Sequence, residues 1–171
     1  MCGALSAKSD SPVELAFARD LVNAVTEGFP RDRLALHMCR GNWSADESLA
    51  LSGDYTPLVD ILGQMNVGTL FLELATPRAG EMEILERLPK HLRIGIGSCN
   101  QKHAHVESVE SVVAHVERAI QLFGAERLLL TPDCGFATFA DNPLNSDRVA
   151  EAKLTVLAQA AAILRERHGI A

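Results

Sequence analysis

Apolar residues along this chain fall into two kinds of segment that take turns, one with helical spacing and one nearly continuous. The first helical segment follows Ser11-Pro12-Val13-Glu14, which reads as a capping box with proline at the first helical position. Leu15, Ala18, Val22, Val25 and Phe29 then keep one apolar face, and Gly28 and Pro30 mark the stop. The run Leu34-Ala35-Leu36-His37-Met38-Cys39, bounded by Arg40-Gly41-Asn42, predicts a buried strand. After Thr56-Pro57, the residues Leu58, Ile61, Leu62 and Met65 predict a short helix, and the run from Val67 to Leu74 a second strand. Met82 to Leu88 is expected to be helical, and Leu92 to Ile96 a third strand. Val109, Val112, Val113, Val116, Ile120 and Phe123 predict a long amphipathic helix ending at Gly124. Arg127 to Thr131 supplies a fourth strand, and a last helix runs from about Asp147 to His168 with Gly169 as its stop.

Four near-continuous apolar strands separated by helices imply parallel pairing through right-handed crossovers. The order is one helix followed by four βα units. A closed (β/α)8 barrel of the TIM type takes about 250 residues, so 171 residues holding four units predict half a barrel or a small open parallel sheet. Residues 11–171 are expected to form a single α/β domain, with residues 1–10 a loose N-terminal segment. Half a barrel would leave two unpaired strand edges and an open concave face, where residues such as Leu36, Leu70, Leu72 and Leu130 would meet water if they pointed inward. Association is therefore expected, as a homo-oligomer or with a second chain that supplies the missing half.

Composition narrows the class of partner. A formal net charge of −6 argues against a broad surface for nucleic acid or anionic membrane, which depends on clustered Lys and Arg. A small-molecule ligand is expected instead. No run approaches the roughly 20 apolar residues that cross a bilayer, and MCGALSAKSD lacks the parts of a signal peptide, so a cytoplasmic protein is expected. In that compartment the widely spaced Cys2, Cys39, Cys99 and Cys134 point to metal binding, reactivity or plain burial rather than to disulfides. Asn42-Trp43-Ser44 fits a glycosylation acceptor but carries no meaning without secretion.

Ligands of parallel α/β folds bind beyond the carboxyl ends of the strands. His37 and Cys39 close the first predicted strand, Glu73 the second, and Cys134 follows the fourth. The two residues of His-x-Cys are two apart, so on a strand both face the same side. One His, two Cys and one Glu would make a complete mixed set for zinc, and sulfur ligands favour zinc over magnesium or calcium. Spacing alone equally allows buried core cysteines, a hydrogen-bonded strand-end histidine and a solvated Glu73. Cys99 is expected in core or loop, Cys2 in a loose terminus, and His91, His115 and His168 on surfaces that need no function.

In order and spacing, His37-Met38-Cys39-Arg40-Gly41-Asn42, Phe71-Leu72-Glu73-Leu74, Val106-Glu107-Ser108 and Pro132-Asp133-Cys134-Gly135 resemble the carboxyl-terminal catalytic barrel of cobalamin-independent methionine synthases and their shorter relatives. The resemblance runs from about Val13 to the end of the chain. It implies a (β/α)8 fold, a zinc ion on His37, Cys39, Glu73 and Cys134, homocysteine as the thiol and a methylated folate as the methyl donor. Arg40 and Asn42 would then be candidates to contact the substrate carboxylate.

Two departures accompany the resemblance. Where methionine synthases carry Asp-x-His, this chain has Asn100-Gln101-Lys102, followed by His103 and His105, so the family's proton donor maps onto Lys102. Lys102 could serve as donor, as an anion contact, or as a solvated loop lysine. The family's first four βα units, with their Asp-Glu-Pro segment, have no counterpart here. The expectation is a fragment, a split-enzyme subunit or an inactive remnant, with negligible activity alone. Other zinc-thiol enzymes of the superfamily, a coenzyme M methyltransferase or an alkyl-coenzyme M lyase, and a non-catalytic zinc-binding half-barrel subunit are the alternatives.

Overall fold

A computed structural model describes residues 12–41, 44–51, 53–77, 82–137 and 139–170. Helix α1 (Pro12–Val25) leads into strand β1 (Ala35–Met38), the short helix α2 (Val59–Leu62) and strand β2 (Thr69–Leu72). A 3-10 segment (Met82–Arg87) precedes β3 (Arg93–Gly97), and α3 (Val109–Phe123), β4 (Leu128–Thr131) and α4 (Asp147–His168) complete the order. Ser108 and Ser146 cap α3 and α4 by accepting the backbone N–H of Ser111 and Val149, and Gly124 and Gly169 stand at the helix ends as expected. Ser11, the expected cap of α1, and Cys2 lie outside the described residues.

The strands form one parallel sheet in the order β1-β2-β3-β4. Each new strand is added beside the last, with no reversal of direction along the sheet. A doubly wound sheet would show such a reversal; winding one way is how a barrel is built. The register aligns Leu36, Leu70, Ile94 and Leu128 in one row and Met38, Leu72, Ile96 and Leu130 in another. Both rows pack against the helices: the strand residues share clusters with Leu62 of α2, Leu85, Phe123 of α3 and Leu157 of α4.

This register corrects one expectation. Leu36, Leu70, Leu72 and Leu130 all belong to the helix side, because residues of the same parity along a strand share a face. The opposite face carries His37, Phe71, Gly95 and Leu129 in one row, and Ala35, Thr69 and Arg93 in another. That face is smaller and more polar than a leucine-lined one. The Phe71 ring fills the space above Gly95, where an added Cβ would lie 2.1 Å from a ring carbon.

The exposed apolar surface lies elsewhere. On α1, Leu15, Ala18 and Val22 are buried, but Val25 is exposed along with Val13, Phe17 and Leu21, and so is Phe29 beyond the helix end. Val13, Phe17, Leu21 and Val25 recur every four residues and make a stripe that the described residues do not cover. Met82 to Arg87 is 3-10 rather than α-helical, and its buried residues Met82 and Leu85, followed by Leu88, recur every third position, which suits a three-residue turn.

Lys153 on α4 is fully buried, and its Nζ pairs with Glu107 Oε2 at 2.8 Å and donates to the His105 carbonyl. It ties α4 to the segment before α3. Lys153→Ala would strand the Glu107 carboxylate and the carbonyl, so a loss of about 3–5 kcal/mol is expected. Chemical denaturation checks this, and a loss below about 1 kcal/mol would show the pair to be a surface-like contact.

Candidate metal centre

Four side chains converge at the carboxyl ends of the strands. His37 lies on β1 and Cys39 directly after it; Glu73 follows β2, and Cys134 lies in the loop after β4. Their ligand atoms all lie within 4.8 Å of one another. His37 Nε2 is 3.4 Å from Cys134 Sγ, and the two sulfurs are 3.8 Å apart. Zinc bonds of about 2.3 Å to sulfur and 2.0–2.1 Å to nitrogen, directed tetrahedrally, would separate two sulfurs by about 3.8 Å and a nitrogen from a sulfur by about 3.6 Å. The donor set and its spacing thus fit a zinc ion. Glu73 is only 2% exposed, so it is not a solvated rim charge.

Hydrogen bonds fix each donor. His37 Nδ1 donates to the Phe71 carbonyl at 3.2 Å, which orients the ring and turns Nε2 toward the sulfurs. The backbone N–H of Gly41 donates to Cys39 Sγ at 3.4 Å, and that of Arg40 to Glu73 Oε1 at 2.8 Å. Tyr55, fully buried, accepts the Glu73 N–H at 3.1 Å and donates to the Glu73 carbonyl at 3.2 Å. Burial pushes the Tyr55 phenol up to about 12, so it keeps the proton that this bracket needs.

Charge also gathers here. Hydrogen bonds from Cys134 and His37 pull the Cys39 thiol well below its ordinary range. The hydrogen bond to Cys39 in turn pushes Cys134 up, and the Cys39 hydrogen bond raises His37. Two adjacent thiolates repel each other, and a cation between them would offset that repulsion.

The remaining expected residues take different places. Arg40 is buried, with its guanidinium 4.4 Å over the Tyr55 ring and Nη1 on the Gly53 carbonyl, so it braces the loop behind Glu73. Asn42 lies outside the described residues. Lys102 is 3% exposed and its Nζ donates to the Ser44 carbonyl at 2.9 Å, which removes the solvated-lysine reading. Cys99 is buried beside α3 and α4, and burial pushes its thiol up to about 12, as suits a core cysteine. His91 and His168 are exposed, paired with Arg31 and Glu117. His115 departs from the surface position expected: it is half-buried and donates to the Gly97 carbonyl at 3.2 Å. Sequence reasoning missed Tyr55, which no periodicity marks, and did not single out Asp133, although it stands beside a predicted ligand in Pro-Asp-Cys-Gly.

The family described as "Cobalamin-independent synthase, Catalytic domain" matches residues 18–162. The chain belongs to this family. It is 31% identical to the protein YxjH of Bacillus subtilis over 140 residues, covering 81% of this chain and 37% of that protein. It is 26% identical to the methionine synthase of Pyrococcus horikoshii over 176 residues, covering 98% of this chain and 46% of the relative. Among solved structures, the B12-independent methionine synthase of Shewanella sp. W3-18-1, in complex with selenomethionine, aligns with a TM-score of 0.77 at 20% identity over 96% of this chain and 46% of that one. The chain therefore spans less than half the length of these family members. Its four parallel strands and their helices are a partial TIM-barrel-like fold of the methionine synthase catalytic domain.

Proposed function

We propose that this chain is the zinc-holding half of a thiol S-methyltransferase site, with homocysteine as acceptor and a methylated folate as donor. The observation that carries the reading is the convergence of His37 Nε2, Cys39 Sγ, Cys134 Sγ and a Glu73 carboxylate oxygen within 4.8 Å. These four residues would hold the ion. Zinc so held supplies the positive charge that keeps a substrate thiol as its reactive thiolate at neutral pH, without redox chemistry of its own.

The chain's own residues do the rest. His37 is oriented by the Phe71 carbonyl and Glu73 by Arg40 and Tyr55, so the donor atoms are set before an ion arrives. His37 is exposed and both ligand cysteines are half-buried, which leaves the cluster reachable from the face opposite the helices. Lys102, in the loop after β3, is assigned to this same end of the sheet as a proton donor or anion contact. Arg40 and Asn42 are the candidates for the amino acid carboxylate. Four further βα units, on a second chain or elsewhere in the same protein, are assigned the other substrate contacts and the unpaired edges of β1 and β4. Among the described residues no helix is long and apolar enough to cross a membrane.

Zinc content is the direct test. Protein purified without a metal-binding tag is expected to carry about one zinc per chain by elemental analysis. Protein that neither carries zinc nor takes it up from a buffered solution would remove the reading.

A further inference from the structure

We infer that Asp133 is a positioning residue that locks two of the metal ligands, Glu73 and Cys134, into register with each other. This rests on the zinc reading above and concerns how the donor set is assembled. Asp133 precedes Cys134 in the loop after β4, yet its carboxylate reaches past β3 to the loop after β2. There Oδ1 accepts the backbone N–H of Leu74 at 2.8 Å and of Ala75 at 2.9 Å, the two residues that follow Glu73. Its own N–H donates to the Cys99 carbonyl at 3.0 Å, in the loop after β3. One residue thus joins the ends of three strands.

The crossing is possible because β3 ends in Gly97. A Cβ there would lie 2.0 Å from Asp133 Oδ1 and 2.7 Å from the Leu72 carbonyl, so any side chain would occupy the carboxylate's place. Asp133 itself is 3% exposed. A carboxylate at such depth is costly unless its oxygens are satisfied, and bonds from two amides to a charged acceptor are strong ones. Two further supports of Glu73 come from residues 40 and 55, which belong to the connection between β1 and β2. They hold Glu73 without reference to Cys134. Asp133 supplies that reference, because it is bonded to one ligand's neighbours and joined by a peptide bond to the other ligand.

The test is zinc affinity in the full chain, measured by competition with a chromophoric chelator for wild type, Asp133→Ala and Asp133→Asn. Groups that orient metal ligands are worth about 10–100-fold in affinity, so Asp133→Ala is expected to weaken zinc by that factor. Asp133→Asn keeps an oxygen for the two amides and is expected to recover most of the loss. Cobalt(II) gives a second readout: the intense visible bands of a four-coordinate site in wild type should weaken in Asp133→Ala as water enters the coordination shell. Circular dichroism and a thermal melt with chelator present show whether each variant folds. If Asp133→Ala does not melt cooperatively, Asp133→Leu, which fills the space without an acceptor, is read in its place. Wild-type affinity and an unchanged cobalt spectrum in the alanine variant would overturn the inference and leave the zinc reading standing. Equal losses in the alanine and asparagine variants would also overturn it. A wild-type chain that takes up no zinc would overturn the reading on which it rests.

Discussion

Cys39→Ser and Cys134→Ser are each expected to lose zinc affinity by roughly a hundredfold or more, while Cys99→Ser keeps the affinity of the wild type. The scale follows from what lesser changes cost, since partners that only orient a ligand are already worth about 10–100-fold. A serine oxygen in place of either sulfur gives a neutral, harder donor, and the spacing of 3.8 Å between the two Sγ atoms no longer suits the ion. Cys99 makes the control meaningful. It lies in the cluster with Val112, Val116 and Leu157, and burial holds it as a neutral thiol. Zinc competition on the three purified variants reads the result, and equal affinity in all three would sink the assignment of the ligands.

The second large effect concerns turnover. The chain alone, verified as a monomer by sedimentation, is expected to methylate homocysteine no faster than a zinc-only background. The described residues gather four candidate metal ligands on one half of a barrel, and the chain spans less than half of the relatives it matches. Holding thiolate and methyl donor in attack geometry is worth about 7–11 kcal/mol, a factor of roughly 10⁵ to 10⁸ in rate. A site open on one side cannot supply it. Adding a polypeptide with four βα units and an Asp-Glu-Pro segment should restore turnover. Robust methyl transfer by the demonstrated monomer would refute the half-site reading.

Much of this was legible in the sequence because strand and helix differ in period. The apolar runs located β1 to β4 to within one or two residues at most ends, and the chemistry at their carboxyl ends followed from the geometry of parallel sheets. Helix α1 shows where period alone fails. Apolar residues occupy more than one side of it, at Leu15, Ala18 and Val22 and again at Val13, Phe17, Leu21 and Val25, and the spacing does not say which side meets the core. The strand leucines were ambiguous for a related reason, since alternation fixes which residues share a face but not which face the helices cover. Tyr55 and Asp133 lay beyond reach because their work is done on residues 18 and about 60 positions away. His-x-Cys, by contrast, was legible because its two donors lie two residues apart at the end of one strand, His37 on β1 and Cys39 directly after it.

The 3.8 Å between Cys39 and Cys134 also links the two outer strands of the sheet. Neighbouring strands lie about 4.8 Å apart, so in a flat sheet the first and fourth would be about 14 Å apart. Yet the loop after β1 and the loop after β4 bring their sulfurs into contact. The segments beyond the two outer strands span that distance, so residues 95 positions apart meet across the carboxyl end of the sheet. An ion held by both sulfurs would act as a buckle between the first strand and the last. Any movement that parts the ends of β1 and β4 would part these donors too, so release of such an ion would report on the outer strands as well as on the ligands.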